Sequence, residues 1–368
     1  MDIARIFRKH ISEYLDKFGK KIPYNHLKAI NDILQCRTAE LGGEIYYCEN
    51  CKKFHYSYHS CKNRHCPKCG SKDSAKWLTK QKEKLLPVDY FMITFTLPSE
   101  LRNICRSNQK SFYSALFQAA AWALKTMLKD PKYAGGEAGF TAVLHTWSRQ
   151  LIFHPHGHFI VPGGAFDFRN SCWNQSHHKF LIPVKALSKL YRMKFEEIIK
   201  TKSPKLYDEI PSSIWREKAF ITHSEFVGKG EAAFTYLAKY VYRTAISNNR
   251  IISCKNGKVT FSYKDSQSGK LKFCTVRVME FIRRFLQHTL PAGFQKVRYY
   301  GFLSSAAKNK WEIVLKYWGI KAKKTENQEA ENVQSKKILC RHCSAEMNLR
   351  ASILRKPRAP PQLLIKIN

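Results

Sequence analysis

Cysteine spacing constrains this chain more than any other feature. Cys48-Glu-Asn-Cys51 and Cys66-Pro-Lys-Cys69 are two CxxC pairs with 14 residues between them. Each pair presents two thiolates from one tight turn, and two such turns close a tetrahedron around Zn²⁺. The spacing predicts a zinc module ligated by Cys48, Cys51, Cys66 and Cys69. Cys36, Cys61, His59 and His65 lie near enough to replace a ligand or build a second site. A further pair, Cys340-Arg-His-Cys343, supplies only half a site, and free thiols in a loose tail are the alternative. The first residues, MDIARIFRKHISEY, lack the apolar stretch of a secretory signal. Twelve cysteines in such a chain argue for thiols and metal ligands over disulfides.

Charge narrows the partner. Lys and Arg number 64 against 28 Asp and Glu, a formal net charge of +36. The cations are spread among aromatics, which suits nucleic acid better than a membrane surface. No apolar run reaches the roughly 20 residues of a spanning helix. A hydrophobic fraction of 44% leaves ample material for a packed core, so the charge does not imply disorder.

Three zones follow from the pattern. Residues 1–86 hold two helices and the cysteine cluster; Ile3, Ile6, Phe7, Ile11, Tyr14, Leu15 and Phe18 recur at helical spacing and Gly19 can stop the first helix. Residues 88–317 read as strands with helices inserted between them. Strands are predicted over 88–97, 140–147, 156–164 and 219–227, with a hairpin from KVTFSYKD to KLKFCTVRV. Helices are predicted over 100–128, 185–200, 231–243 and 278–288. This order favours an α+β domain over a parallel array. Residues 318–368 carry a polar linker and a basic, Pro-rich end, and are predicted to form a flexible tail holding the last CxxC.

Two further constellations bear on chemistry. His154-Pro-His156-Gly-His158 opens a strand, where His156 and His158 share one face and can grip a divalent metal. His145 ends the preceding strand and can supply a third ligand. Read alone, such histidines serve equally well in a core or on a surface. Tyr236 and Tyr240 lie one turn apart on a helix, so both phenols can face the same place, though tyrosines at this spacing are commonly packing residues. Lys239, Tyr242 and Arg243 add charge and aromatics beside them. Taken together, a metal that polarises a phosphate and a tyrosine that attacks it would hold a DNA end covalently.

On these residues the chain resembles the two-tyrosine HUH transposases of rolling-circle insertion sequences, the IS-ninety-one group. The resemblance rests on CRTAELGG, SCKNRHCPKC with the following KWL, YFMITFTLP, HPHGHFIVPGG, YLAKYVYRTAISNNRI and FIRRFLQHTLPAGFQKVRYYGFL, in the family's order over about residues 36–303. It implies an N-terminal zinc-binding module followed by a central antiparallel sheet that carries the HUH strand. It also implies a single-strand DNA endonuclease and strand transferase, a cytoplasmic, nucleoid-associated bacterial enzyme acting on element ends and target. No membrane or small-molecule substrate enters this reading. His156 and His158 would be the HUH pair, binding Mg²⁺ or Mn²⁺, and Tyr236 and Tyr240 the nucleophiles that form a 5′-phosphotyrosine. Lys239 and Arg243 can contact flanking phosphates. The chain departs from the pattern at Gly157, where a bulky hydrophobe is usual and a looser back packing is expected, and at Met92, where many relatives carry histidine.

Rival readings remain. A non-catalytic zinc-dependent DNA-binding regulator needs the zinc module and the charge, but has no use for clustered His and Tyr. A related HUH replication initiator shares the chemistry. A metal-independent tyrosine recombinase would need an arginine cage, and a two-metal transposase an acidic cluster that no strand region here supplies.

Overall fold

A computed structural model describes residues 1–69, 77–217, 220–232, 235, 244–265, 267–320 and 338–357. The chain opens with α1 (Ile3–Phe18), whose N-cap Asp2 accepts a hydrogen bond from the Arg5 amide at 2.7 Å. The buried face Ile3, Ile6, Phe7, Ile11, Tyr14 and Leu15 is the one its periodicity predicts. α2 (Tyr24–Gln35) packs beside it and ends at Cys36. A hairpin follows, β1 (Gly43–Cys48) and β2 (Lys53–Tyr58), whose tip is the first CxxC.

The centre of the molecule is a five-stranded antiparallel sheet. Its strands are β3 (Asp89–Thr96), β4 (Phe140–Trp147), β5 (Phe153–Pro162), β8 (Ile221–Lys229) and β12 (Val297–Tyr300). They lie in the order β12-β4-β5-β3-β8. Between them the chain inserts a small hairpin, β6 (Gly164–Asp167) with β7 (Cys172–Gln175), and a three-stranded sheet, β9 (Ile251–Lys255), β10 (Lys258–Lys264) and β11 (Leu271–Arg277). The α+β class expected from strands interrupted by helices is what the chain adopts.

Two long helices cover one face of the large sheet: α3 (Gln109–Lys129) and α4 (Val184–Lys202). Their apolar sides meet Phe91, Ile93 and Phe95 of β3, Ala142 and Leu144 of β4, and Phe159 and Val161 of β5 in one core. The alternation of a strand then sends Met92, Val143 and Ile160 to the opposite face, where they pack with Trp77, Phe302 and Val314. Met92 is therefore a core residue of the second face, 5% exposed.

α1 and α2 bury their apolar stripes against Ile251, Val259 and Phe261 of the inserted sheet and against Phe281, Ile282 and Phe285 of α5 (Val278–Leu286). The ring of Phe7 meets that of Phe285 edge-on at 5.6 Å. The N-terminal helices thus share a core with residues more than two hundred positions away. The end of the chain behaves alike. β13 (Asn348–Ile353) pairs antiparallel with β1, from Gly43 opposite Ile353 to Tyr47 opposite Asn348. This corrects the expected flexible tail for residues 338–357: backbone hydrogen bonding to a distant hairpin orders them, and no local pattern announces such a partner.

Candidate metal centres and DNA-processing site

The cysteines form two clusters, not one. Cys36, Cys61, Cys66 and Cys69 have their sulfurs within 4.8 Å of one another, and so do Cys48, Cys51, Cys340 and Cys343. The expected single site of Cys48, Cys51, Cys66 and Cys69 is corrected by the hairpin between the pairs. Gly43 at its base pairs with Tyr58, and Cys48 at its tip pairs with Lys53. Five residue steps at about 3.4 Å place base and tip roughly 17 Å apart. The base is where α2 ends and where the loop carrying Cys61, Cys66 and Cys69 begins, so the second CxxC closes with Cys36 and Cys61 instead.

In the base cluster the Cys69 sulfur lies 3.4 Å from that of Cys36 and 3.5 Å from that of Cys61. Hydrogen bonding from Cys61 brings the Cys36 thiol down to about 7, and hydrogen bonding from Cys36 holds Cys69 low. The same hydrogen bonds push Cys61 and Cys66 up, the pattern of a tetrad whose thiols share protons among themselves. His59 and His65 are turned to other partners. His59 contacts the Leu41 carbonyl and, at 2.8 Å, the Glu44 carboxylate. His65 Nε2 accepts from the Leu290 amide at 3.3 Å. Arg64 next to it donates to the carbonyls of Phe294 and Pro291 at 2.6 and 3.1 Å. The Asn63–Cys66 loop therefore docks the zinc module against the segment leading into β12.

The histidines converge on the sheet. His145 stands opposite His156 across the β4–β5 pair, and His158 lies two residues along the same strand. One ligand atom of each lies within 4.8 Å of the others. They occupy the face opposite α3 and α4, where strand alternation places 145, 156 and 158 together. The Nδ1–H of His156 donates to the His154 carbonyl at 2.7 Å, which orients the ring and leaves Nε2 available to a metal. Thr94 Oγ1 lies 3.0 Å from Nδ1 of His158. The indole of Trp147 stacks on His145 with centroids 5.3 Å apart. Burial pushes His158 down to about 4 and His156 well below its usual value, so both imidazoles are neutral near pH 7, the form that binds metal. Three imidazoles on a rigid surface fit a divalent cation. His154, its ring 5.0 Å from that of His156, is outside the trio and its Nδ1 accepts from Arg102 at 3.0 Å.

Gly157 between His156 and His158 corrects the expected loose packing. A Cβ there would sit 2.9 Å from Phe159 and 3.0 Å from Leu116. The space usual for a bulky side chain is filled by the ring of Phe159 and by Leu116 of α3. Thr94 escaped sequence reading because only strand register brings it to His158, whereas Trp147, two residues after His145 on β4, carried a signal that was missed.

Tyr236, Tyr240, Lys239 and Arg243 lie outside the described residues. Their segment follows β8, the edge strand beside β3, and a helix begins at residues 230–232. Elsewhere, Phe54 and Tyr56 on β2 are each 58% exposed, beside Lys53. No described helix is long and apolar enough to cross a membrane.

A thiolate-rich N-terminal module docked on a sheet that gathers three imidazoles, in a chain of charge +36, has the makeup of a zinc-bearing, DNA-processing protein. Two family models match: "Transposase zinc-binding domain" over residues 6–97 and "Putative transposase" over residues 139–310. The chain is 36% identical over 321 residues to "Putative transposase y4qJ" of Sinorhizobium fredii, covering 83% of this chain and 80% of that one. It is 28% identical over 297 residues to "Transposase for insertion sequence element IS801" of Pseudomonas savastanoi pv. phaseolicola, covering 76% and 70%. No solved structure matches the chain significantly. The chain belongs to the IS91/IS801 family of transposases. It carries a structural zinc-binding domain and acts on DNA.

Proposed function

We propose that this transposase cuts and rejoins single-stranded DNA at its element's ends by transesterification on tyrosine. The observation that carries the reading is the convergence of His145, His156 and His158 on one face of the central sheet. In this division of labour residues 1–86 bind DNA and residues 88–317 carry the chemistry. The three histidines would hold Mg²⁺ or Mn²⁺. Such an ion polarises a bound phosphate and offsets the charge that develops on its oxygens.

The remaining work falls to side chains. The hydroxyl oxygen of Tyr236 or Tyr240 attacks phosphorus. The bond from phosphorus to the 3′ oxygen breaks, and that oxygen leaves as a free 3′-OH. The product is a 5′-phosphotyrosine that keeps the phosphoester for rejoining, since no water enters. Two tyrosines allow a second strand to be cut while the first end stays held. Thr94 and the His154 carbonyl fix the imidazoles, and Trp147 walls one side. Lys239 and Arg243 bind flanking phosphates. Phe54 and Tyr56 offer stacking surface to unpaired bases next to lysine, a pairing suited to single strands.

A denaturing gel of the protein with single-stranded element ends tests this. Wild type gives a covalent adduct in the presence of Mn²⁺. The double change Tyr236→Phe with Tyr240→Phe gives none, yet binds the same DNA, because only two hydroxyls are lost. An adduct of wild-type yield from the double variant, or full transposition by it, overturns the reading.

A further inference from the structure

We propose that Cys48, Cys51, Cys340 and Cys343 form a second zinc site, which clasps residues 338–357 onto the β1–β2 hairpin. The matched zinc-binding model covers residues 6–97 and so contains only half of these ligands. The other half arrives from the far end of the chain.

The geometry is that of two interlocked knuckles. The sulfur of Cys48 lies 3.5 Å from that of Cys343, and the sulfur of Cys51 lies 3.9 Å from that of Cys340. Zn–S bonds of about 2.3 Å in a tetrahedron give sulfur–sulfur edges of roughly 3.8 Å. The close contacts run between the knuckles as well as within one cluster, so all four thiols belong to one polyhedron.

Each knuckle is also built the same way. The Cys51 amide donates to the Cys48 sulfur at 3.4 Å, and the His342 amide donates to the Cys340 sulfur at 3.4 Å. The residue after each second cysteine is a non-glycine in the left-handed region: Lys52 at φ 55° and Ser344 at φ 58°. That conformation costs about 1 kcal/mol or more and persists where surroundings impose it. Amides aimed at sulfur favour the thiolate, the form that ligates.

The surroundings explain why a metal is needed. Cys48 and Cys340 are buried, at 0% and 2% exposure, in a cluster whose only other buried hydrophobic is Met347 among the described residues. Three buried side chains make a very small core, and small units of this kind draw their folding energy from a metal. The strand pairing depends on it. Residues 338–347 form their own small turn, with Cys340 donating to Ala345 at 2.8 Å and Met347 to Ile338 at 2.9 Å. β13 leaves that turn directly and lies along β1, where Arg350 pairs with Glu49 and stacks 5.3 Å from the Tyr47 ring. Exposed contacts like these contribute little by themselves. A zinc ion at the hairpin tip fixes both the register and the return of the chain.

Zinc content decides the matter, measured in protein carrying His156→Ala and His158→Ala so that the histidine site adds nothing. This protein should hold two zinc ions per chain after gel filtration. Adding Cys340→Ser with Cys343→Ser should lower the count to one. Amide exchange should then rise together in residues 43–58 and 348–353, while α1 and α2 keep their protection. A single zinc in the parent, or two retained in the cysteine variant, overturns the proposal. Should the cysteine variant fail to fold, cobalt replacement in the parent decides instead. Thiolate-to-cobalt absorbance that climbs through two equivalents supports the clasp, and saturation at one equivalent overturns it.

Discussion

The base cysteine cluster and the histidine trio are two differently built groups of metal-binding side chains in one chain. The cluster is closed: four thiols, two of them (Cys36 and Cys66) at 0% and 1% exposure, fill a tetrahedron and leave no position for substrate. The trio is open: three imidazoles stand on a strand pair with coordination positions to spare. The first is stitched from a helix end and a loop, so the metal holds together what the chain leaves apart. The second sits on strands already locked by their hydrogen bonds and by the core beneath α3 and α4, so the fold is complete before a metal arrives. On the proposed reading, the first site uses its metal for folding and the second would keep one for phosphate.

The largest effect expected from this contrast is that of Cys66→Ser. Structural zinc contributes on the order of 10 kcal/mol to folding. Because α1 and α2 share their core with β10 and α5, the loss should spread to residues 245–286. Hydrogen exchange should show that spread, with the five-stranded sheet retaining protection. Loss confined to residues 36–69 would break the link between zinc and the shared core.

His156→Ala or His158→Ala should do the reverse. Cleavage of single-stranded ends should fall by a factor of about a thousand or more, as for loss of a metal's charge stabilisation. Melting temperature and DNA binding should stay near wild type. A large drop in stability would show that the trio is structural after all.

Thr94→Val tests positioning and should be milder. Removing an outer partner of a ligating histidine costs typically 10–100-fold in metal affinity. The added Mn²⁺ needed for half-maximal cleavage should rise by that factor, with the maximal rate recovered at saturation.

The smallest effect concerns His288, a buried histidine beside the site with no ligand role. Its Nδ1 lies 3.2 Å from Thr146 Oγ1, and burial pushes it down to about 3. The unfolded chain takes up this proton near pH 6.5 and the folded chain does not, so stability falls as pH drops below about 6.5. Between pH 7 and pH 5 the loss from this group should be about 2 kcal/mol. Urea melts of His288→Gln should be correspondingly flatter over that range.

The amphipathic stripe of α1, four of the five strands of the central sheet (β12 excepted) and the β10–β11 hairpin were legible because each is written in its own local period of apolar residues. That His156 and His158 share a face was legible for the same reason: two positions on one strand face need no tertiary knowledge. His145 required one assumption, that consecutive strands pair, and β4 and β5 do.

Sequence by itself therefore determined most of the elements, the zinc-binding cysteines as a class, and a DNA partner. Only the tertiary structure decided which thiols meet. The two CxxC pairs lie close in sequence but at opposite ends of a hairpin, and an extended strand separates its ends by about 3.4 Å per residue. Cys340 and Cys343 lie 289 residues or more from Cys51 and Cys48, yet strand pairing returns them to the tip. Local periodicity fixes which way a side chain faces on its own element. Which elements then touch is set by burial and backbone pairing over the whole chain, and that is where the second cysteine cluster and the shared N-terminal core arise.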